Sequence, residues 1–165
     1  MNAQIMEKLS IQKTSYQEKN DIIALIKSVR VFKDEEIIIA SELFDDAFKN
    51  DNVTDYIFFS CHSEDGKLLG FVCFGATHIA KGTFDMYWLV VSPNYQGKGI
   101  GTTLTSFAEN YIAEQGGRLI IIETSSTQEY DQARAFYIKK KYSELARIRE
   151  YYKPGDDLVI YGKYL

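Results

Sequence analysis

The chain has 165 residues, enough for one domain with a sizeable hydrophobic core. Its hydrophobic fraction is 45% and its net charge is −4, with a sequence pI near 5.2. This acidic balance argues against nonspecific nucleic-acid binding, which requires a basic footprint. No apolar run reaches the ~18 residues of a membrane-spanning helix, and the first residues lack the pattern of a secretion signal. We expect one domain over 1–165, located in the cytoplasm, that binds neither nucleic acid nor membrane.

The cysteines and histidines do not form a metal-binding pattern. There are two of each, at unrelated spacings, which makes a structural zinc site improbable. Cys61 and Cys73 fall on the two arms of a predicted hairpin in an offset register. We therefore expect two buried, inert thiols rather than a disulfide.

The first part of the chain combines one strand pattern with two helix patterns. A strand is predicted over 6–13. Ser15-x-x-Glu18 is a capping box before an apolar face of helical period, which predicts a helix over 17–30. Asp34 is placed to cap a second helix, which the polar run at 50–52 ends. The apolar stripe of this second helix comprises Ala40, Leu43, Phe44, Ala47 and Phe48.

The middle of the chain predicts three strands and a helix. The strands are expected over 55–62, 68–78 and 83–91, with turns at Glu64-Asp65-Gly66 and Lys81-Gly82. The helix is expected over 99–115, with Gly116-Gly117 as its stop.

The last part predicts a strand over 118–124, a helix behind a second capping box at Ser126-x-x-Glu129, and strands over 143–152 and 157–164. Lys153-Pro154-Gly155-Asp156 fits a type II turn between the final two strands. A strand, a helix and a strand in one sheet imply a parallel, right-handed crossover. The whole order predicts an α+β fold, an α/β/α sandwich with four helices around a mixed, mostly antiparallel sheet of about seven strands.

A glycine-rich loop connects the strand over 83–91 to the following helix. Its sequence is Gln96-Gly97-Lys98-Gly99-Ile100-Gly101. Small residues let the backbone approach a bound group. The first amides of the helix point at an anion, and Lys98 adds a cation. The simplest ligand is a phosphate or pyrophosphate, and the alternative is a helix-entry loop whose glycines serve packing.

Two common phosphate motifs do not fit this loop. The P-loop requires Gly-Lys-Ser/Thr, which the chain lacks. The dinucleotide fingerprint requires a third glycine where Thr102 stands. The remaining pattern, Gln96-x-x-Gly99-x-Gly101, resembles the acetyl-CoA signature of the GCN5-related N-acetyltransferase (GNAT) family. Val91-x-Pro93 before the loop and the order of elements along the whole chain resemble that family too.

The resemblance implies an acetyl-CoA-dependent N-acetyltransferase that moves an acetyl group to a primary amine, and we expect it to need no metal. Because no histidine stands in a recognisable partner pattern with Cys61 or Cys73, we expect direct attack by the amine in a ternary complex. The loop amides would hold the CoA pyrophosphate. Backbone amides where the fourth and fifth strands separate would polarise the thioester carbonyl. The segment Ala133-x-x-Phe136-Tyr137 resembles a second family motif. The cofactor-binding residues implied in this way are Leu89, Val90, Val91, Gln96, Gly97, Lys98, Gly99, Ile100, Gly101, Thr102, Ser125, Ala133, Phe136 and Tyr137.

Three residues are expected to carry proton transfer. Tyr137 matches the family tyrosine that protonates the departing thiolate. Asp85, counted back from Val91-x-Pro93, stands where histone-modifying members carry a catalytic Glu. If Lys81-Gly82 is a two-residue turn, His78 lies opposite Asp85 and the pair can relay a proton, directly or through water. The alternatives are a strand-face carboxylate, a loop-end histidine and a core aromatic.

The chain departs from the family at Tyr130, where Asn is common, and at Lys141-Tyr142, where Gly-Phe is common. Lys139, Lys140 and Lys141 are expected to form a solvated helix end; the other reading is a contact with the CoA 3′-phosphate.

The acceptor stays open between a small-molecule amine and a peptide amine. In this architecture the first two helices and the last hairpin shape the acceptor site. Acidic and aromatic groups there suit a cationic amine, although ordinary surface charge explains them equally well. These groups are Phe32, Glu35, Asp45, Asp46, Tyr151 and Tyr152. We expect a monomer or a homodimer. The alternatives are a non-catalytic acyl-CoA-binding or sensor module of the same fold, and a nucleotide-binding protein that uses the glycine loop.

Overall fold

The computed structural model describes residues 9–49 and 55–165. The chain divides into two compact units. The first comprises Met1–Cys73 and Leu89–Leu104, and the second comprises Phe74–Trp88 and Thr105–Leu165. The start of the predicted first strand, at 6–8, and the predicted helix stop at 50–52 lie outside the described residues.

The described residues form four α-helices and seven strands. The helices are α1 (Lys19–Ser28), α2 (Asp34–Lys49), α3 (Ile100–Glu114) and α4 (Asp131–Lys139). The strands are β1 (Ser10–Lys13), β2 (Ile57–His62), β3 (Leu68–Ala76), β4 (Thr83–Val91), β5 (Leu119–Ser125), β6 (Ser143–Lys153) and β7 (Asp156–Tyr164). They make one sheet in the order β1-β2-β3-β4-β5-β7-β6. The predicted class, four helices with a mixed and mostly antiparallel sheet, is confirmed.

The predicted crossover from β4 through α3 to β5 is also confirmed, because β4 and β5 pair in parallel. α3 buries Ile100, Leu104, Ala108 and Ile112, each exposed by 3% or less. These residues recur every four positions and form one helical face. Burying a side chain such as Leu104 stabilises the fold by roughly 1.5–3 kcal/mol.

Aromatic packing forms the core of the first unit. The Phe44 ring on α2 lies 5.2 Å from the Phe58 ring on β2, which in turn lies 6.0 Å from the Phe71 ring on β3. Ile22 and Ile26 of α1 are each 1% exposed. The Lys19 ammonium meets the Asp45 carboxylate at 2.7 Å and joins α1 to α2.

The helix starts were predicted with mixed success. The capping box before α1 is confirmed, since Glu18 Oε2 accepts a hydrogen bond from Ser15 N at 2.7 Å. The prediction for Asp34 is wrong: Asp34 is already helical, and Glu36 Oε2 accepts from Lys33 N instead. The capping box at Ser126 is wrong as well. Thr127 is the cap of the 3-10 turn before α4, because Ser126 Oγ accepts from Asp157 N at the start of β7.

Two helices end with the same hydrogen-bond pattern. After α3, Gly117 N donates to Ile112 O and Gly116 N donates to Ala113 O. After α4, Tyr142 N donates to Tyr137 O and Lys141 N donates to Ile138 O. This Schellman motif places one residue in the left-handed region, a position that favours glycine. The positions are Gly116, at φ +79°, and Lys141, at φ +70°.

We therefore expect Lys141→Gly to stabilise the protein. A left-handed conformation costs an L-residue about 1–2 kcal/mol, and the added freedom of glycine in the unfolded chain offsets about 0.4–1 kcal/mol of that. The net gain should be about 0.5–1 kcal/mol, which corresponds to a rise in Tm of about 1–4 °C. Differential scanning calorimetry measures it.

Lys139→Gly is the matched control, because the same replacement two residues earlier falls on the last residue of α4. It should lower the Tm, since glycine costs up to about 1 kcal/mol in a helix. Equal effects of the two substitutions would contradict the assignment of strain to Lys141.

Candidate active site

The glycine loop adopts a conformation that only glycine supports well. Gly97 has φ +75° and Gly99 has φ +87°, both in the left-handed region. A Cβ at either position would meet nothing within 4 Å, so the requirement comes from the backbone and not from crowding. α3 begins immediately afterwards at Ile100.

The amides of this loop precede the hydrogen-bond ladder of α3. Thr103 N donates to Gly99 O at 2.9 Å in the pattern of an α-helix. A helix leaves its first amides without an intrahelical acceptor, and its dipole adds partial positive charge at that end. Gln96 Nε2 donates to Val91 O and ties the loop to the end of β4. This arrangement suits an anionic ligand.

A second cation lies beside Lys98. The Lys98 ammonium sits 4.7 Å from the centre of the Tyr95 ring, and the Lys67 ammonium sits 5.1 Å from the same centre. Tyr95 thereby holds two exposed lysines close to the loop through cation–π contacts. No local pattern indicates Lys67, because it comes from the turn before β3, about thirty residues earlier in the chain.

The parallel ladder between β4 and β5 is short. It runs from Thr83↔Leu119 to Asp85↔Ile121, whereas β4 continues to Val91 and β5 to Ser125. Asp85 therefore occupies the last position of β4 that is paired with β5. Its Oδ2 accepts a hydrogen bond from Thr77 Oγ1 at 2.6 Å. A carboxylate thus stands where the ladder ends, held by a neutral hydroxyl.

The predicted pairing of His78 with Asp85 is wrong. Thr77 N donates to Thr83 O, so the connection between β3 and β4 comprises 77–82 and is not a two-residue turn. Ala80 N donates to Thr77 O, and Thr83 N donates to Ala80 O inside this longer turn. His78 is consequently an exposed loop residue, and Thr77 is the residue that reaches Asp85.

Tyr137 on α4 lies among other aromatic rings. Its ring centre is 5.8 Å from that of Phe136, 6.1 Å from that of Tyr142 and 6.0 Å from that of Tyr161. Burial raises the pKa of the Tyr137 phenol to about 12. The phenol therefore stays protonated at neutral pH, which a proton donor requires.

A charged pair lies behind Tyr142. The Lys163 ammonium meets Glu109 Oε2 at 2.9 Å and lies 5.5 Å from the centre of the Tyr142 ring. Burial, followed by the adjacent Glu109 carboxylate, raises the pKa of the Tyr142 phenol well above its usual value. The Tyr142 hydroxyl and Glu109 Oε1 are both buried and make no hydrogen bond of standard geometry with any described residue. Tyr142 acts here as packing for Tyr137.

The other predicted residues of α4 and β5 have defined surroundings. Ala133 and Phe136 are partly buried on α4. Ser125 Oγ is hydrogen-bonded to Asp156 and to Thr127. The sequence does not predict these contacts, because they depend on the pairing of β5 with β7. The Lys140 ammonium donates a hydrogen bond to Ser106 Oγ on α3 at 2.9 Å. This lysine is therefore hydrogen-bonded within the fold, unlike the solvated helix end that was predicted.

Both cysteines are buried free thiols, as predicted. Burial raises the pKa of Cys61 and raises that of Cys73 well above its usual value. Over 9–49 and 55–165, no group of three or more His, Cys, Asp or Glu side chains is arranged to hold a metal ion. No helix in those ranges is both long and apolar enough to span a membrane.

Comparison with known proteins identifies the family. The family model described as "Acetyltransferase (GNAT) family" matches residues 23–141, which is more than half of the chain. The chain therefore belongs to the GNAT family and is a GNAT-type acetyltransferase. A comparison with curated proteins returns no match.

Solved acetyltransferase structures share the fold along almost the whole chain. A protein from Desulfovibrio desulfuricans assigned to the GNAT family is 29% identical with a TM-score of 0.88, over 95% of this chain and 99% of that one. The ribosomal-protein-S18-alanine N-acetyltransferase from Escherichia coli is 18% identical with a TM-score of 0.75, over 95% and 94% of the two chains. The PaiA N-acetyltransferase from Thermoplasma acidophilum, in complex with coenzyme A, is 19% identical with a TM-score of 0.74, over 96% and 99%. At these lower identities the last two show a shared fold.

The raised pKa of Tyr137 predicts a stability change at high pH. The unfolded phenol ionises near pH 10 and the folded one at about 12. The folded state thus favours the protonated form. This contribution is complete below pH 10 and is lost as the pH rises toward 12, by on the order of 2–3 kcal/mol.

We expect the free energy of unfolding, measured with urea between pH 9 and pH 11.5, to fall more steeply in the wild type than in Tyr137→Phe. Parallel curves for the two proteins would show that the Tyr137 phenol is not desolvated.

Proposed function

We propose that this chain is an acetyl-CoA-dependent N-acetyltransferase that transfers an acetyl group to a primary amine by direct attack in a ternary complex. The observation that carries the proposal is the loop with left-handed Gly97 and Gly99 at the start of α3, in a chain of the GNAT family. The coenzyme A bound by the Thermoplasma acidophilum N-acetyltransferase supports the choice of donor.

The donor would be held mainly through its pyrophosphate. A single contact between a helix dipole and an anion contributes only about 0.3–1 kcal/mol. Several loop amides between Gly97 and Thr102 must therefore act together with the Lys98 cation. Lys67, on the other side of Tyr95, adds positive charge to the same part of the first unit.

The thioester carbonyl would be polarised by main-chain amides of Leu89, Val90 and Val91, which follow the last residue of β4 paired with β5. Val90 is 2% exposed, so its side chain belongs to the core and its contribution would come from the backbone. Fixed amides directed at a developing oxyanion are a large catalytic term.

Proton transfer would use Asp85 and Tyr137. The ammonium of the acceptor loses a proton to Asp85, directly or through water, and the free amine attacks the carbonyl carbon. The new C–N bond forms, the C–S bond breaks, and Tyr137 donates its proton to the CoA thiolate. The hydrogen bond from Thr77 orients the Asp85 carboxylate. Cys61 and Cys73 are buried protonated thiols, which supports direct transfer without an acetyl-cysteine.

The acceptor is a small-molecule or peptide amine in this proposal. Tyr151 and Tyr152, on the hairpin of β6 and β7, are exposed by 59% and 49% and their rings pack edge to face at 5.0 Å. Exposed aromatic faces attract cations. Two buried free thiols suit the reducing cytoplasm, where we place the reaction.

Gly99→Ala tests the donor site. The alanine strains the backbone at φ +87°, and we expect it to reduce the rise in Tm that acetyl-CoA produces in the wild type, corresponding to about a tenfold loss of affinity. Gly66→Ala is the matched control, because Gly66 has φ +81° in the turn before β3 and equally open space around it.

Both variants should lose similar stability, and only Gly99→Ala should weaken acetyl-CoA binding. Stabilisation by ATP or NAD instead of acetyl-CoA would favour a nucleotide-binding protein and refute the proposed donor.

Tyr137→Phe and Asp85→Asn test the chemistry. An acceptor screen that reads the free CoA thiol first identifies a substrate. We then expect each substitution to lower kcat by roughly 10²-fold or more, because each removes one positioned proton donor or acceptor. The rise in Tm with acetyl-CoA should persist in both variants. Unchanged turnover would remove these residues from the mechanism. Donor binding with no acetylation across the screen would support a sensor module.

A further inference from the structure

Asp156 is a buried carboxylate with an unusual set of partners. It begins β7, is 5% exposed, and accepts a hydrogen bond at Oδ1 from Ser125 Oγ at 2.5 Å. Ser125 ends β5 and pairs with Leu158 of β7. The two side chains are thus brought together by the β5–β7 ladder in the second unit.

The hydrogen-bond directions around Ser125 follow from its single hydroxyl hydrogen. An ionised carboxylate only accepts, so Ser125 donates to Asp156. Thr127 N donates to Ser125 Oγ at 3.0 Å. The Thr127 hydroxyl, 2.9 Å from Ser125 Oγ, must then donate as well. The chain of hydroxyls runs from Thr127 through Ser125 to Asp156, and both hydroxyl hydrogens are used within it.

The charge of Asp156 is not compensated. In the part of the chain that the structure describes, no Lys, Arg or His pairs with its carboxylate. The adjacent Asp157 differs, since Oδ2 accepts from Arg147 at 3.1 Å and Oδ1 accepts from Glu150 N at 2.9 Å. Arg134, near Ser125, directs its guanidinium to the carbonyls of Ser125 and Thr127 and to Asp131. A buried charge without a cation is costly.

We propose that the Asp156 carboxylate and the Thr127 hydroxyl bind a primary ammonium group of the acceptor, with Ser125 as the residue that orients the carboxylate. Ser125 Oγ already donates once and accepts twice, so the carboxylate and the Thr127 oxygen are the acceptors left in the cluster, and an ammonium supplies donors to them and the missing positive charge. The group held there keeps its proton, so it is a second cationic group and not the nitrogen that attacks. The inference rests on the proposed function and narrows the acceptor to amines that carry a further ammonium, such as diamines or basic peptides.

Calorimetric titration of the full chain with 1,4-diaminobutane, beside its uncharged analogue 1,4-butanediol, tests this site. We expect the diamine to bind and the diol not to bind. Asp156→Asn should weaken diamine binding by about tenfold, because the amide keeps the shape and the oxygen for Ser125 but removes the charge. Asp157→Asn, one residue along, is the matched control and should change binding by less than about threefold.

Failure to bind the diamine, equal binding by wild type and Asp156→Asn, or equal loss in both variants overturns the proposal. Ser125→Ala is a second variant in case Asp156→Asn does not fold. It should weaken binding by about threefold through loss of the aligned hydroxyl, and wild-type affinity in this variant also counts against the site.

The Tm of the ligand-free variants separates binding from a structural role. Asp156→Asn should melt at or above the wild-type temperature, because it removes a buried, uncompensated charge. Asp157→Asn should melt below it, since it breaks the contact with Arg147. A lower Tm of Asp156→Asn together with unchanged diamine binding assigns Asp156 to the fold alone. Release of CoA thiol with any amine tests the proposed function independently of this result.

Discussion

The position of the glycine loop depends on a close approach between β3 and the first turn of α3 in the first unit. A Cβ at Gly70 would lie 2.7 Å from Val90 O and 3.1 Å from a Leu104 methyl carbon. Only a residue without a side chain permits this contact. It brings the start of α3 against β3, next to the strand that leads into the loop, with Ser92 N donating to Leu69 O at 2.8 Å beside it. This packing therefore sets the direction in which the loop amides point.

In the proposed donor site, side chains would carry little of the specificity. Gly97 and Gly99 would contribute conformation, Leu89 to Val91 would contribute backbone amides, and the charge would come from Lys98 and Lys67 around Tyr95. Such a site depends on the fold more than on particular functional groups, because peptide amides are available at every residue. The same reasoning explains why Lys141 can occupy the left-handed position after α4: the hydrogen bonds of the Schellman motif fix the backbone there, whichever residue is present.

Local patterns made most of the fold predictable. Hydrophobic periodicity and glycine positions located α3, its end at Gly116 and the parallel crossover, since each depends on residues close in sequence. The errors concern competition from distant residues. Ser126 fits a capping box, but its hydroxyl oxygen accepts a hydrogen bond from the distant Asp157 N instead. The turn at Lys81-Gly82 fits a two-residue hairpin, but bonds between Thr77 and Thr83 enclose a longer loop and shift His78 away from Asp85. Asp156 gave no signal, because its partner Ser125 lies 31 positions away.

Four carboxylates of the second unit fall into two kinds according to their partners. Glu109 and Asp157 each meet a cation, Lys163 and Arg147 respectively, and these pairs join elements of the fold. Asp85 and Asp156 instead accept side-chain hydrogen bonds from hydroxyls, Thr77 and Ser125 respectively. A hydroxyl orients a carboxylate without neutralising it. The negative charge is therefore not offset by the hydroxyl, and under the two proposals it would receive a proton at Asp85 and an ammonium at Asp156. In the sequence these four acidic residues look alike, and only their partners in the folded chain separate Glu109 and Asp157, which pair with cations, from Asp85 and Asp156, which accept from hydroxyls.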